Sequence, residues 1–152
     1  MGKIFRKTFL KSDIETCWEF FSNAENLSNL TPSNVGFVIS DYDGKSLYEG
    51  QKISYMVKPL FNISLNWTTE ITSLKEEKEF VDIQIKGPFK IWHHRHLFKE
   101  KQGGVEMIDI IHYKIPYGIF GGIVEKLIVK KKVKEIFDFR DVQIKKIFDL
   151  SH

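Results

Sequence analysis

The sequence has few of the residues that mark several classes of protein. It contains one cysteine, Cys17, which excludes an internal disulfide and is typical of a reducing compartment. Because Cys17 falls within a helical pattern, we expect a buried structural thiol. No apolar run approaches the ~20 residues that a membrane span requires, and the N-terminus has no apolar core of a signal peptide. These absences predict a cytoplasmic protein without stable membrane insertion.

The sequence also lacks a large excess of positive or negative charge. The chain has 23 Lys and Arg against 20 Asp and Glu, a net charge of +3, and this balance predicts no nucleic-acid partner. The lysines concentrate late in the chain, where Lys130–Lys132 are expected to form a solvated helix surface. Aromatic residues, in contrast, are abundant, with thirteen Phe, five Tyr and three Trp in 152 residues. Such rings fill a core or line an apolar cavity, and this length predicts a single domain over residues 1–152.

Hydrophobic periodicity predicts an α+β chain. Alternation predicts a first strand at Lys3–Lys11. Ser12 and Glu15 have the spacing of a capping box and predict a short helix, and Asn23 is expected to cap a second one that ends at Thr31-Pro32. Further strands are predicted at Val35–Asp41, Gln51–Lys58, Asn62–Leu74, Glu79–Lys86, Lys90–Lys101 and Val105–Ile115. Their short connections favour antiparallel pairing.

A long helix is predicted at Ile119–Phe148, after the loose sequence around Tyr117-Gly118 and Gly121-Gly122. Its apolar residues form two stripes that point in nearly opposite directions. We therefore expect a bend or break at Lys130–Lys132. The first stripe contains Phe120, Ile123, Val124, Leu127 and Ile128, and the second contains Val133, Ile136, Phe137, Ile144, Ile147 and Phe148. Only this helix is large enough to cover a seven-stranded sheet, and a sheet that curls around it leaves room for a cavity.

Polar side chains concentrate in the sixth and seventh predicted strands. Strand alternation places Trp92, His94, His96 and Phe98 on one face, which we expect to be the concave face. A two-residue turn at Gln102-Gly103 would set His96 opposite Asp109 and Trp92 opposite Tyr113. A turn at Gly103-Gly104 is the alternative, and it would shift this pairing by one diagonal while keeping the same faces together. The positions of Asp82 and Gln84 stay open, because Gly87-Pro88 is a candidate for a bulge.

Four interpretations of this polar group remain open. His94, His96 and Asp109 are residue types that bind zinc or iron, although no Cys or Glu completes the set and no metal or other cofactor is assigned. His96 beside Asp109 has the composition of a general acid–base pair. The same residues also form satisfied hydrogen-bonded networks in protein cores, or orient a bound ligand.

Arg140 interrupts the second apolar stripe of the long helix, because this charged residue lies at a core-facing angle. An arginine is almost never buried without a partner. Its partner is expected to be an internal carboxylate such as Asp109 or the acidic head of a ligand. The alternative is that its side chain extends to water along its aliphatic stem.

Motifs along nearly the whole chain resemble the START-like superfamily, and most closely its bacterial SRPBCC branch of polyketide cyclase/dehydrase and lipid-transport proteins. The resemblance begins with Trp18 to Phe21. Its middle and final motifs are Trp67-Thr68-Thr69-Glu70-Ile71, Phe80-x-Asp82-x-Gln84, Gly87-Pro88-Phe89-x-x-Trp92-x-His94-x-His96-x-Phe98, Asp109-x-Ile111-x-Tyr113-x-Ile115-Pro116-x-Gly118 and Ile136-Phe137-x-x-Arg140.

This resemblance implies a helix-grip fold, in which a curved seven-stranded antiparallel sheet wraps around a long C-terminal helix and encloses a hydrophobic cavity. Two functions follow as hypotheses. The first is binding or carriage of a small hydrophobic molecule, for which a ligand with an acidic head group is one candidate. The second is a cyclase- or dehydratase-like enzyme that uses His96 and Asp109. The expected cavity walls are Trp67, Trp92, Phe98 and Tyr113, with His94, His96, Asp109 and Arg140 as polar ligand contacts.

Overall fold

One antiparallel sheet of seven strands dominates the described part of the chain, which comprises residues 1–58, 63–116 and 123–149 of a computed structural model. The order in the sheet is β1-β7-β6-β5-β4-β3-β2, so the first strand pairs with the last. This curved sheet and its C-terminal helix confirm the predicted helix-grip architecture. The strands are β1 Gly2–Leu10, β2 Val38–Asp41, β3 Lys52–Val57, β4 Leu65–Lys75, β5 Glu79–Lys86, β6 Ile91–Lys101 and β7 Gly104–Lys114. The predicted start of the fourth strand, Asn62, lies outside the described residues.

Short helices follow β1, as predicted, but their caps and types differ. Helix α1 spans Ile14–Phe21, and its N-cap is Asp13, whose carboxylate accepts from Thr16 N at 2.8 Å. The predicted capping box on Ser12 is therefore wrong, because the neighbouring carboxylate occupies the cap position. Asn23 caps the next segment as predicted, and that segment is the 3₁₀ helix Ala24–Leu30.

Helix α2 spans Ile123–Asp149 without interruption. The helix is continuous through Lys130–Lys132, so the predicted break is absent, while a bend there stays a prediction. Its predicted start at Ile119, the loose sequence before it and Phe120 lie outside the described residues. Leu127 and Ile128 of the first stripe are exposed. Within residues 1–58, 63–116 and 123–149, no helix is both long and apolar enough to cross a membrane.

The second apolar stripe of α2 enters the core. Val133, Phe137, Ile144 and Phe148 are buried on this helix, which places α2 against the inner face of the sheet. Ile144 and Phe148 join a cluster with β1, α1, β6 and β7. Val133 and Phe137 join a second cluster on β6 and β7.

The hairpin of β6 and β7 has the predicted register. Lys101 pairs with Gly104, so the turn consists of Gln102 and Gly103. Gly103 has φ of 83°, a conformation that glycine adopts without steric cost. Because this turn sets the register, His96 faces Asp109 across the two strands, as expected.

We predict that Ile144→Ala, which removes a fully buried side chain of α2, lowers the free energy of unfolding by about 2–5 kcal/mol, since it leaves a cavity in the core. Urea denaturation measures this loss. Val142→Ala is the matched control on the exposed side of the same helix, with an expected change within about 0.5 kcal/mol. Equal effects of the two substitutions would contradict the placement of α2.

Candidate functional site

A cavity of about 730 Å³ lies between the sheet and α2. Most of its lining is apolar, including side chains of all three core clusters. Trp67, Trp92 and Phe89 form an aromatic group on one wall, with the two tryptophan rings 5.2 Å apart and edge to face. Val133, Ile136 and Phe137 contribute the wall on α2. The cavity therefore matches the predicted space between sheet and helix.

A polar cluster interrupts this apolar lining. It consists of Asp82 on β5, His94 and His96 on β6, Asp109 on β7 and Arg140 on α2. Adjacent strands bring the first four together, because Asp82 pairs with His94 and Asp109 pairs with His96. Strand alternation then directs all of these side chains to the inner face.

Each histidine of the polar cluster lies between two carboxylates. His94 Nε2 is 2.7 Å from Asp109 Oδ1, and His96 Nε2 is 2.6 Å from Asp82 Oδ2. The other ring nitrogens are more distant: His96 Nδ1 lies 3.3 Å from Asp109 Oδ1, and His94 Nδ1 lies 3.8 Å from Asp82 Oδ2. The 3.3 Å approach lacks the geometry of a hydrogen bond, so His96 Nδ1 has no hydrogen-bond partner among the described residues.

Ring packing restrains both imidazoles. The His94 and His96 rings stack with centroids 3.6 Å apart, and Phe80 stacks on the other side of His96 at 3.9 Å. Trp92 meets His94 edge to face at 6.5 Å. Rotation of either ring therefore requires movement of its neighbours.

Burial and neighbouring charges shift the pKa values of the two histidines in opposite directions. Burial, together with the neighbouring His96, lowers the pKa of His94 to about 4. Burial also acts to lower the pKa of His96, but the carboxylates of Asp109 and Asp82 outweigh it, and that pKa is raised. At neutral pH His94 is thus uncharged. Because an ionised carboxylate only accepts, His94 donates its Nε2–H to Asp109.

The two carboxyl groups of the cluster stay ionised. Burial alone would raise the pKa of Asp109, but Arg140 and the two histidines outweigh burial and hold it well below the usual value. For Asp82, burial is again outweighed, here by the His96 hydrogen bond and the charges of His94, His96 and Arg140, and its pKa is lowered. Arg140 and the hydrogen bonds of the two histidines therefore stabilise the two negative charges.

Arg140 is buried, with 6% of its surface exposed, so its side chain does not extend to water. Its Nη2 lies 3.8 Å from Asp109 Oδ1, and its guanidinium carbon lies 5.9 Å from the centre of the Phe137 ring. The predicted internal carboxylate is thus present, but at the outer limit of an ion pair. Within the described residues, Arg140 Nε has no hydrogen-bond partner.

The structure places all eight predicted site residues on the inner face, at different depths. Trp67, Trp92, His94, His96 and Arg140 line the cavity. The other three described residues lie behind that lining. Phe98 packs against Trp18 and Phe21, Tyr113 packs against Trp92, and Asp109 is 1% exposed beneath the histidines.

Asp82 is the residue of the cluster that sequence reasoning left unplaced. Its pairing with β6 is regular and sets Asp82 opposite His94, whereas the register shifts of β5 lie in its pairing with β4, at Thr68/Thr69 and Ile71/Ser73. The alternation of Phe80, Asp82 and Gln84 was the available signal, because Phe80 is apolar and faces inward. Gln84 instead bonds the backbone of Phe89 in the following turn.

The position of Asp82 in the structure changes the set of residues that could hold a metal ion. One ligand atom each from Asp82, His94 and His96 lies within 4.8 Å of the others. The metal interpretation from sequence used Asp109 as the carboxylate. Asp109 instead lies deeper than the histidines and accepts from His94, so its position suits a supporting carboxylate rather than a metal ligand.

Solved structures of other proteins share this fold at low sequence identity. Protein Ms6760 from Mycobacterium smegmatis aligns with a TM-score of 0.70 and 16% identity, covering 99% of this chain and 92% of its own. Protein NE0264 from Nitrosomonas europaea aligns with a TM-score of 0.70 and 12% identity over 98% and 95%. Ginseng major latex-like protein 151 from Panax ginseng aligns with a TM-score of 0.67 and 16% identity over 97% of both chains.

No protein-family model and no curated protein matches the chain. The structural likenesses agree with the START-like fold type that the sequence motifs resemble, and identities this low support the fold alone.

We predict that Asp109→Asn lowers the free energy of unfolding by about 3–5 kcal/mol, because it leaves the buried charge of Arg140 without its nearby carboxylate. Denaturant melts measure the loss. Glu79→Gln is the matched control, since it removes a strand carboxylate that bonds the exposed Arg95 at 2.7 Å; the expected cost is below about 1 kcal/mol. If the Asp109 variant were as stable as this control, the stabilisation of Arg140 by Asp109 would be wrong.

A second prediction concerns the pH dependence of the metal-free protein. The folded-state pKa of His94 is about 4, below the ordinary value of 6.5 for histidine, so the unfolded chain binds the extra proton between these values and stability falls as pH drops from about 6.5 to 4. His96 acts with the opposite sign. Its raised pKa contributes stability that is complete below the unfolded pKa and is lost as pH rises through the folded pKa. NMR titration of labelled histidines should find the two midpoints on opposite sides of 6.5, and midpoints that coincide would contradict the assignment.

Proposed function

We propose that residues 1–152 form one START-like domain that binds and carries a small, largely hydrophobic molecule in the cavity beneath α2. The observation that supports this most directly is the cavity itself. Its volume of about 730 Å³ falls within the roughly 300–1,000 Å³ typical of small-molecule sites, and an apolar lining with a few convergent polar groups is the composition of such sites.

Unpaired donors in the cavity lining favour a ligand that carries a hydrogen-bond acceptor. Trp67 Nε1 and Arg140 Nε are buried donors without a hydrogen-bond partner among the described residues, and both side chains line the cavity. A buried donor left unpaired costs about 1–3 kcal/mol. A ligand whose acidic or carbonyl head accepts from these donors would remove that cost.

Arg140 is the group that would distinguish an acidic head from a neutral one. Its distance of 3.8 Å from Asp109 Oδ1 leaves its donors available for a second acceptor. A carboxylate at the cavity surface would form charge-assisted hydrogen bonds with it. The proposed ligand contacts are therefore Trp67, Trp92, His94, His96 and Arg140, with Phe98, Asp109 and Tyr113 supporting them from behind.

An enzyme of the cyclase or dehydratase kind is the second candidate function. One observation favours it: His96 and Asp82 are hydrogen-bonded at 2.6 Å and both line the cavity. A general acid–base pair must reach its substrate, and Asp109 lies deeper than this pair. Asp82, rather than Asp109, would thus be the carboxylate partner of His96 in any such reaction.

The test of the proposed function is a calorimetric titration with a medium-chain fatty acid and with the alcohol of the same length. We predict that Ile136→Phe, which fills the cavity from α2, weakens binding of both at least about tenfold, or ~1.4 kcal/mol. Leu127→Phe is the control, since Leu127 is exposed on the same helix and its replacement should leave affinity unchanged. Binding that survives Ile136→Phe would place the ligand elsewhere.

The same titration addresses the head group. If Arg140 binds an acid, Arg140→Met should weaken binding of the fatty acid about tenfold or more and that of the alcohol by much less, because only the acid loses a charge-assisted hydrogen bond. An equal loss for both ligands would exclude this role. Native mass spectrometry of protein purified from its own host would identify a co-purified ligand directly.

A further inference from the structure

The four ring nitrogens of His94 and His96 divide into two groups. His94 Nε2 and His96 Nδ1 face Asp109, at 2.7 and 3.3 Å from its Oδ1. His94 Nδ1 and His96 Nε2 face Asp82, at 3.8 and 2.6 Å from its Oδ2. Each imidazole therefore lies between a deep carboxylate and a carboxylate at the cavity wall.

The deep carboxylate determines which nitrogens remain available. Asp109 accepts the Nε2–H of His94, which leaves the lone pair of His94 Nδ1 directed to the Asp82 side. Histidines that bind metals usually donate their second ring N–H to a carboxylate, which fixes the tautomer and the ring orientation. Asp109 accepts such a hydrogen bond from His94, and it also lies close to His96 Nδ1.

We propose that Asp82 Oδ2, His94 Nδ1 and His96 Nε2 bind a divalent first-row transition-metal ion such as Zn²⁺. Two imidazole nitrogens and one carboxylate oxygen are a donor set that suits such ions. All three side chains line the cavity. The remaining coordination position is open to the cavity, where water or a ligand head group would complete it.

The required rearrangement is small. Metal–ligand bonds of about 2.0–2.2 Å place neighbouring ligand atoms of a tetrahedral site roughly 3.4 Å apart. The 2.6 Å contact of His96 with Asp82 must lengthen, and the 3.8 Å contact of His94 with Asp82 must shorten, each by less than about 1 Å. The two imidazole planes, now inclined by 26°, must also open further so that both lone pairs meet the ion.

The charge of the cluster favours a cation at this position. With both imidazoles neutral, as metal ligands must be, Asp82, Asp109 and Arg140 leave one net negative charge. Arg140 lies nearer to Asp109, 3.8 Å from Oδ1, and so offsets mainly the charge of the supporting carboxylate. The site thus combines a negative net charge with a ligand carboxylate that forms no ion pair with Arg140.

The experiment uses full-length protein treated with a chelator and then titrated with Co²⁺, which reports coordination through its visible absorption, and with Zn²⁺ in a calorimeter. We expect one equivalent to bind with a dissociation constant of about 1 μM or tighter. Nitrogen NMR of labelled histidine in the Zn²⁺ complex should show coordination at His94 Nδ1 and His96 Nε2. This measurement needs no substitution, so a variant that fails to fold does not affect it.

Variants separate this site from adventitious binding on the surface. His93 and His112 face each other on the outer side of the same two strands, with ring centroids 6.4 Å apart. His93→Gln should leave Co²⁺ affinity unchanged, whereas His94→Gln and Asp82→Asn should weaken it about 100-fold or more. A folded wild-type protein that shows no Co²⁺ band would overturn the proposal, as would loss of binding in His93→Gln with retention in His94→Gln.

Discussion

The structure depends on a buried cluster of ionisable groups between the sheet and α2. Asp82 and Asp109 carry negative charges largely out of water, and they are stabilised by Arg140 and by hydrogen bonds with His96 and His94. Single buried charges cost several kcal/mol, so such groups persist only as a set. The set joins three adjacent strands to the last helix, and it is flanked by two apolar clusters, one with Phe98 and Ile144 and the other with Trp92 and Phe137. Removal of one member of the set would leave its neighbours as uncompensated buried charges at the contact of helix and sheet.

Sequence periodicity could predict most of the fold because apolar and polar residues alternate along several strands and their turns are marked. The β6–β7 hairpin shows this best, since a two-residue turn at Gln102-Gly103 sets the whole register, and that register places His96 opposite Asp109. The cap of α1 could not be decided in the same way. Asp13 and Ser12 are both good capping residues, and only the path of the chain from β1 selects Asp13.

The candidate site was predictable where it lies on a regular hairpin and not where the connection between strands leaves the register open. His94, His96 and Asp109 follow from alternation on β6 and β7. Asp82 was left open because the Gly87-Pro88 connection between β5 and β6 does not define their register from sequence, although that pairing proves regular and sets Asp82 opposite His94. Strand alternation also does not predict how deeply a side chain is buried. Asp109 and His96 share a face of the sheet, but only His96 lines the cavity. Arg140 shows a third limit, since periodicity predicted its core-facing angle but left its burial open and could not predict its 3.8 Å distance from Asp109.

The proposed carrier function and the proposed metal site use the two ends of the same cluster. Arg140 and Trp67 offer unpaired donors to the cavity, whereas Asp82 and the two histidines offer acceptors and lone pairs. With both imidazoles neutral, a bound divalent cation would change the net charge of Asp82, Asp109 and Arg140 from one negative to one positive, and the simplest compensation is an anionic group in the cavity. An acidic ligand head would then contact the ion and Arg140 together. The two proposals are therefore linked, because each positive charge at the cavity wall strengthens the preference for an acidic ligand over a neutral one.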